Sequence, residues 1–552
     1  MLYVSVGDGQ PPYPPDGESV GQDLSSLRST ILRLDVNHPT EDEPYKIPSD
    51  NPFVGKPNAR GEIWAFGFRN PWKISFAPNG KDLFVADVGW EMREMIHLVR
   101  RGQNHGWSIM EGSQQVKPDE QPSIPITPPL HEHSHLDSRS ITGGYFWQSD
   151  RIPELKDTYI YGDWMTGKVW GLRYEGQKVT WQKELADTPH QIICFMRDPS
   201  GEVLIVGYDG TILRLQPSPA NEAKQTFPTK LSQTGIFRDT AKQIPAKGVD
   251  EYRINAHRWA DNTRSRQWIA LPDATQLKRF PKTDWTTGQS EGRFEFPVNS
   301  VAAKTVSYLT DLQDPKTETY LETQILHKEG DEWKAYNYIW NDEQTDALLQ
   351  NDVAIERKLI IKDLNAKNGE RLQTWRHASR SECLLCHVWS AGTVQGFWPP
   401  QLNLNHGEFN QLDQLTALGL FAEPIPKTEF IVDPHDEKAS LEQRARSYLS
   451  MNCSTCHRKL GGGTATFTFD ITVPADESNY INAQPSQGSF GLNDARVVAS
   501  GSPEKSVLFY RFLKSGRGHM PQFGSHLVDH SGIAVLHDWI SNRRAWTVWR
   551  RD

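Results

Sequence analysis

Two short stretches in the last third of the chain hold the residue types best suited to chemistry. They are Cys383-Leu384-Leu385-Cys386-His387 and Cys453-Ser454-Thr455-Cys456-His457, and both read CxxCH. Two thiols at this spacing can bond the edge of a porphyrin while the histidine that follows reaches the iron from below, which is the c-type haem attachment pattern. The pattern predicts two covalent haem c groups, on Cys383 and Cys386 and on Cys453 and Cys456, with His387 and His457 as axial ligands. Zinc sites made from two CxxC pairs usually separate them by about 15–20 residues. Here residues 387–452 intervene, and zinc gives no role to both histidines. A thioredoxin-like dithiol asks for a βαβ setting, and neither stretch follows a clear strand.

Each iron needs a sixth ligand. For the second, Met520 stands in Gly518-His519-Met520-Pro521, far enough beyond His457 for the chain to wrap round a haem. A thioether raises the reduction potential relative to a second imidazole, and His519 is the alternative. For the first, no methionine lies between His387 and Met451. Met451, His377 and His406 are the candidates, with an open position as a further option.

These residues have to be held by regular elements. Ser440 with Gln443 makes a capping box, and Leu441, Ala445, Tyr448 and Leu449 recur at helical spacing toward Cys453. The second motif is thus predicted at the end of an amphipathic helix. Gly461-Gly462-Gly463 permits a close turn around the haem, and Ile533–Ile540 reads as a closing helix. Residues 441–552 are predicted as a mainly α, cytochrome c-like region, preceded by a first haem-binding segment over 371–440.

The 552 residues suffice for two to four domains. With 37% hydrophobic and 23% charged residues the composition is that of a soluble globular chain, and it contains no apolar run long enough for a membrane span. A net charge of −9 argues against nucleic acid as a partner. The fifth cysteine, Cys194, lies among Ile192, Ile193 and Phe195 and is expected to be a buried free thiol. Haem attachment to cysteines implies a periplasmic or secreted location. The opening Met1–Gly9 has no basic start, apolar core or cleavage site and reads as a strand entering a turn, so the sequence is expected to be an N-terminally incomplete fragment.

Residues 1–216 repeat one pattern, an apolar strand followed by an Asp and Gly turn, at Leu2–Gly9, Asp82–Gly89, Tyr159–Gly167 and Val203–Gly210. Two copies follow a reversal signal, Pro78-Asn79-Gly80 and Pro199-Ser200-Gly201. Short repeated strands of this kind predict an all-β partial propeller, with a β-sandwich as the alternative. The loop His131-Glu132-His133-Ser134-His135 could place three imidazoles near one ion, although exposed histidine clusters commonly bind nothing.

Within this region Glu62-Ile63-Trp64-Ala65-Phe66-Gly67-Phe68-Arg69-Asn70-Pro71-Trp72, Ala86-Asp87-Val88-Gly89-Trp90, Gly102-Gln103-Asn104-His105-Gly106-Trp107, Ser140–Tyr145 and Ile152–Leu155 resemble the glucose/sorbosone dehydrogenase family. The resemblance implies a six-bladed propeller that holds pyrroloquinoline quinone through calcium and oxidises a sugar hydroxyl. It puts the family's Arg and Asn on Arg69 and Asn70 and the two calcium-ligating carbonyls on Gly89 and Trp90. Calcium accepts neutral oxygens in flexible geometry and would polarise the quinone carbonyl. The family's catalytic histidine falls before Met1, so the base is unassigned, and His190–Met196 lacks the arginine pair that grips the quinone.

Gln216–Glu222 reads as a linker. Residues 217–370 then alternate polar and apolar positions in several runs, which predicts a β-sandwich-like bridge domain. Phe227–Phe237, together with Trp375–His387, resembles secreted dihaem c-type proteins found fused behind such propellers, where this domain is read as a spacer. The whole is expected to be a multidomain protein that passes electrons from a sugar-oxidising propeller through two haems to an external acceptor or donor protein. The alternative is a non-catalytic docking propeller with the haems as the only redox centres.

Overall fold

A computed structural model describes residues 1–10, 15–37, 39–40, 44–90, 92–135, 137–188, 190–208, 210–217, 227–281, 292–330, 332–350, 354–366, 368–388, 391–427, 431–458, 461, 467–486, 488–514, 518–521 and 524–543. The chain divides into two compact units, Met1–Ala220 with Ser486–Gly488, and Asn221–Pro485 with Ser489–Asp552.

The first unit is a succession of antiparallel sheets. Leu2–Val6, Thr30–Leu34 and Ile63–Phe66 form one; Pro71–Phe76, Leu83–Asp87, Arg93–Val99 and His131–Ser134 the next. Ile141–Phe146, Tyr159–Asp163, Lys168–Glu175 and Lys178–Asp187 make a third, and Ile192–Arg197, Val203–Gly207 and Ile212–Arg214 a fourth. Each repeat seen in the sequence supplies one strand to a different sheet. Side chains alternate between the two faces of a strand, and here both faces are covered. Leu83 and Val85 pack with Ile31 and Ala65 of the preceding sheet, while Phe84 and Ala86 pack with Phe146, Tyr159 and Tyr161 of the following one. Ile160 and Val169 continue the stacking onto Phe195 and Ile205. This is why Leu83–Ala86 is apolar without alternation and the strand is buried throughout. The Pro78-Asn79-Gly80 turn forms as predicted: Gly80 has φ +65°, and Asn79 Oδ1 accepts from the amides of Lys81 and Asp82 at 3.0 and 3.1 Å.

The second unit is built on one six-stranded antiparallel sheet, in the order Val249–Tyr252, Arg264–Ala270, Val301–Leu309, Glu318–Glu329, Glu332–Trp340 and Ala347–Leu349. This differs from the sandwich-like expectation, because among the described residues no second sheet of similar size faces it. One face, with Trp268, Ala303, Ile325, Tyr338 and Trp340, is covered by Leu231, Ile236 and Phe237. The other, with Tyr252, Ile269, Ala302, Leu326 and Ala335, packs on Val394, Phe397, Leu402, Leu412 and Phe421. The segment holding the first CxxCH motif therefore shares its core with the sheet. Farther along, Val306, Tyr308 and Leu321 pack on Leu359, Ile361 and Trp375, which belong to the hairpin of Ile355–Lys362 and Glu370–His377.

The helices are α1 (Arg380–Cys386), α2 (Pro399–Leu402), α3 (Gln411–Ala417), α4 (Leu441–Cys453), α5 (Val507–Leu513) and α6 (His530–Ser541). Ser379 and Glu382 form a capping box on α1, and Ser440 and Gln443 form the expected one on α4. Asp529 caps α6, accepting from the Gly532 amide at 2.9 Å. Ala445, Tyr448 and Leu449 of α4 meet Leu536, Trp539 and Ile540 of α6 in one core. A Cβ on Gly532 would fall 2.2 Å from the Tyr448 ring, so glycine is what allows this approach. Helices are the regular structure here, but much of the described part of 441–552 is loop and turn, which tempers the mainly α expectation. No helix among the described residues is long and apolar enough to cross a membrane.

Candidate functional site

Sheet alternation sets up the first motif. Lys304 and Glu322 have the same parity as Ala302 and Leu326, on the face that packs under the first CxxCH segment. Both lie within electrostatic reach of Cys383, and Lys304 reaches Cys386 as well. The capped helix α1 carries Cys383 and Cys386 and stops at His387, whose amide donates to the Cys383 carbonyl at 3.0 Å. His387 Nδ1–H donates to the Thr393 carbonyl at 2.7 Å. That bond fixes the tautomer with a lone pair on Nε2, the nitrogen that would ligate a metal. Burial first, and then Lys304 and Arg258, hold His387 neutral, down at about 4. Burial also pushes the Cys383 thiol up to about 12 and Cys453 well above its usual range.

No group of three or more His, Cys, Asp or Glu side chains among the described residues converges as a metal cage would. The donor set instead fits a porphyrin held by thioethers and one neutral imidazole.

The fold brings the two motifs together. Gln395 Nε2 donates to the Cys386 carbonyl, while Gln395 Oε1 accepts from Thr455 Oγ1 at 3.0 Å. Arg258 Nη1 donates to Cys386 Sγ at 3.5 Å and its charge reaches Cys453. The next residue, Trp259, donates its amide to Asn452 Oδ1 at 2.9 Å and its indole to the Leu527 carbonyl at 2.8 Å. Asp261 accepts from the amides of His526 and Leu527, each at 2.9 Å. Residues 258–261 therefore tie together both motifs and the loop beyond Met520. No motif marks this segment in the sequence.

The axial candidates are placed as follows. His457 is held neutral at about 4 by burial, then by Arg511, and its ring stacks on Phe467 at 5.0 Å. The Met520 amide donates to the Arg511 carbonyl at 3.1 Å. His519 donates from Nδ1 to the Lys514 carbonyl at 2.7 Å and keeps a buried Nε2 without a partner. Met451 Sδ takes a 2.7 Å hydrogen bond from Gln401 Nε2. His377 is buried, with Nδ1–H on Glu322 Oε2 at 2.5 Å and Nε2 without a partner, the carboxylate–imidazole arrangement common behind metal-binding histidines. His406 ends the short strand Asn405–His406, and its side chain lies outside the described residues, as do Gly462 and Gly463.

In the first unit, Arg69 and Asn70 are held by the buried carboxylate of Asp87, and Trp90 by that of Glu111. Asp87 accepts the amides of Arg69 and Asn70 at 3.1 and 2.6 Å, and Arg69 Nη1 donates to the Val88 carbonyl at 3.1 Å. A Cβ on Gly89 would lie 1.5 Å from the Arg93 carbonyl oxygen, so only glycine fits. Among the described residues none donates to the Gly89 carbonyl, which leaves it available to a cation. The Trp90 amide is turned onto Glu111 Oε1 at 2.7 Å, an oxygen that also takes the amides of Met92 and Arg93. Asp87 and Glu111 were legible as acids but not as anchors, since their partners are main-chain amides. Cys194 is half-buried and unpaired with any other cysteine.

The histidine loop divides its side chains. His133 Nε2 meets the Tyr161 hydroxyl at 2.9 Å and His135 Nε2 meets Glu94 Oε1 at 2.8 Å. Burial drives His133 and His97 down to about 3 and pushes His131 and His105 down too. Burial also raises Asp87, to about 7, and Glu94. A histidine with a depressed folded pKa contributes stability that is complete above its unfolded value of about 6.5 and lost in acid, whereas a raised carboxyl does the reverse. Four imidazoles oppose three raised carboxyls, since burial raises Asp8 as well. The first unit is thus expected to lose about 1–3 kcal/mol per pH unit below pH 6.5. Hydrogen exchange of its amides, corrected for intrinsic rates, checks this; protection unchanged between pH 6.5 and 5 refutes it.

Residues 1–214 match the family model described as Glucose / Sorbosone dehydrogenase. This part of the chain is a glucose/sorbosone dehydrogenase family domain. Over 195 residues it is 37% identical to the HIPL1 protein of Arabidopsis thaliana, covering 31% of this chain and 27% of that protein. The family domain is also 24% identical over 225 residues to Aldose sugar dehydrogenase YliI of Escherichia coli, covering 40% and 57%. With Quinoprotein glucose dehydrogenase B of Acinetobacter calcoaceticus it shares 31% over 112 residues, 20% and 21% of the two chains. The chain thus spans between about a fifth and somewhat over half the length of these curated relatives. Among solved structures, the soluble aldose sugar dehydrogenase of E. coli in its apo form aligns at 23% identity with a TM-score of 0.32, covering 39% of this chain and 61% of that one.

Proposed function

We propose that this protein is an exported electron carrier with two covalent haems, coupled to a family domain that oxidises an aldose or related alcohol. The observation that carries the reading is the convergence of two CxxCH motifs in one unit, bridged through Gln395 and Arg258. Cys383, Cys386 and His387 would hold one haem and Cys453, Cys456 and His457 the other, with Met520 or His519 completing the second. Haem supplies one-electron redox chemistry at each position. The chain's own part is to present His387 Nε2 through its Thr393 hydrogen bond and to limit water around the motifs by burial. Arg69, Asn70 and the Gly89 and Trp90 carbonyls would hold the quinone and its calcium, which would supply a two-electron acceptor for a hydride.

A second reading, a propeller that serves only to bind a partner, is supported by the likeness to Hedgehog-interacting protein of Homo sapiens, 24% identical over 190 residues and covering 33% of this chain and 24% of that protein. Export of the full-length gene product in a host with haem maturation tests both. With the quinone and calcium added, reduction of the haems by an aldose is the expected result. No reduction across a panel of sugars leaves the second reading, and a matured protein without haem overturns the carrier itself.

A further inference from the structure

Strand parity puts Ala302, Lys304 and Val306 on the sheet face beneath the first motif. Ala302 belongs to the core that Cys383 and Leu384 pack against. Val306 belongs to the core under the hairpin of Ile355–Lys362 and Glu370–His377. Lys304 stands between the two, half-buried, and its amine makes no hydrogen bond or ion pair among the described residues. The side chains directly across from it are committed elsewhere. Gln267 Nε2 donates to Ser265 Oγ at 2.7 Å and Gln324 Nε2 to Glu322 Oε1 at 2.6 Å. Glu322, the acid within electrostatic reach of Lys304, is filled by Gln324, His377 and Asn337. Arg258, also in reach, is another cation. A lysine taken from water without a counter-ion is costly, unless its nitrogen lone pair has an acceptor.

The amine lies within reach of both thiols and the histidine of the first motif, Cys383, Cys386 and His387. We propose that Lys304, as a neutral amine, is the sixth iron ligand of the haem at the first motif and completes the axial pair with His387; this rests on the haem reading above. On ligation the ammonium proton leaves to water and the nitrogen lone pair goes to the iron, so the unpaired cation is discharged. The flexible four-carbon stem of lysine lets the strand stand back from the haem while the nitrogen reaches it. The candidates read from the sequence are less free. Met451 Sδ already takes the Gln401 hydrogen bond, and the side chain packs with Ala256, Trp398 and Ile431. His377 keeps a free Nε2, but its ring is anchored on Glu322 through Nδ1 at 2.5 Å.

The test begins with the mass of the matured full-length protein, which gives the haem count; no haem on Cys383 and Cys386 overturns the haem reading itself. With both haems attached, Lys304→Ala is expected to lose the low-spin ferric signal of one haem of the two. Once reduced, it is expected to bind one more equivalent of carbon monoxide per chain than the wild type, with haem content unchanged. Lys304→Arg keeps the positive charge but offers no lone pair, so it is expected to match Lys304→Ala. A purely electrostatic or packing role predicts that Lys304→Arg stays low-spin, and that result overturns the ligation. Low-spin spectra in both lysine variants overturn it as well, as does loss of the signal in His377→Ala with Lys304→Ala unchanged. Should the lysine variants fail to fold, the ferric wild type is compared with Cys383→Ala/Cys386→Ala. A high-spin signal in the wild type that this variant lacks shows the first iron to be open and overturns the proposal; its absence supports a protein ligand there.

Discussion

The double replacement of Cys383→Ala and Cys386→Ala is expected to lower the mass of the matured protein by one haem and to halve its pyridine haemochrome absorbance. The matching replacement of Cys453 and Cys456 removes the other haem. Thioether bonds are what make c-type haem survive denaturation, so either change abolishes attachment at its own site outright. The two variants need not be equal in stability. The first motif shares a core with the six-stranded sheet through Val394, Phe397 and Leu402. The second motif lies at the end of α4, whose core is formed with α6 and the loop residues Phe469, Tyr480, Val497 and Val498. A variant of either motif that still carries two haems refutes the assignment.

The second large effect is expected at Glu322. Its buried carboxylate accepts from His377 Nδ1 at 2.5 Å and from Asn337 at 3.0 Å, with Trp375 Nε1 at 3.4 Å. Burial pushes this group up, but the hydrogen bonds from His377, Asn337 and Gln324 and the His377 charge outweigh it and leave it below its ordinary value. Glu322→Ala strands a buried histidine and an amide without an acceptor, a loss of about 3–5 kcal/mol for a buried pair with one partner removed. Because the folded value is depressed, the contribution is present above the unfolded pKa and disappears as pH falls through the folded one. Chemical denaturation at pH 7 therefore shows the full difference between wild type and variant, and the gap narrows in acid. A loss below about 1 kcal/mol at pH 7 would mean that the network is not holding the sheet to the hairpin.

How much of this was readable in advance depends on the range of the interactions. The capping box of Ser440 and Gln443, the helix it starts and the Pro78-Asn79-Gly80 turn are decided by neighbours within four residues, so the chain order displays them. The repeats in residues 1–214 are similar because each strand meets the same demand, burial on both faces, and that also makes the family domain recognisable. The bridge domain shows the limit. Alternation identified its strands but could not say whether their second face meets another sheet or, as here, helices and loops from residues 394–421.

The two CxxCH motifs were legible as residues and spacing, since the pattern occupies five consecutive positions. Their relation to one another was not. Gln395, Arg258 and Trp259 join them across 60 to more than 190 positions of chain, and ordinary Gln, Arg and Trp carry no mark of such a role. The same holds for Lys304 and Glu322, which strand parity turns toward Cys383. Residue chemistry and local geometry were thus settled by the sequence alone. Which charges face which thiols, and which buried nitrogens are left to take a ligand, was decided only by long-range packing, because those contacts depend on how separate elements share a core.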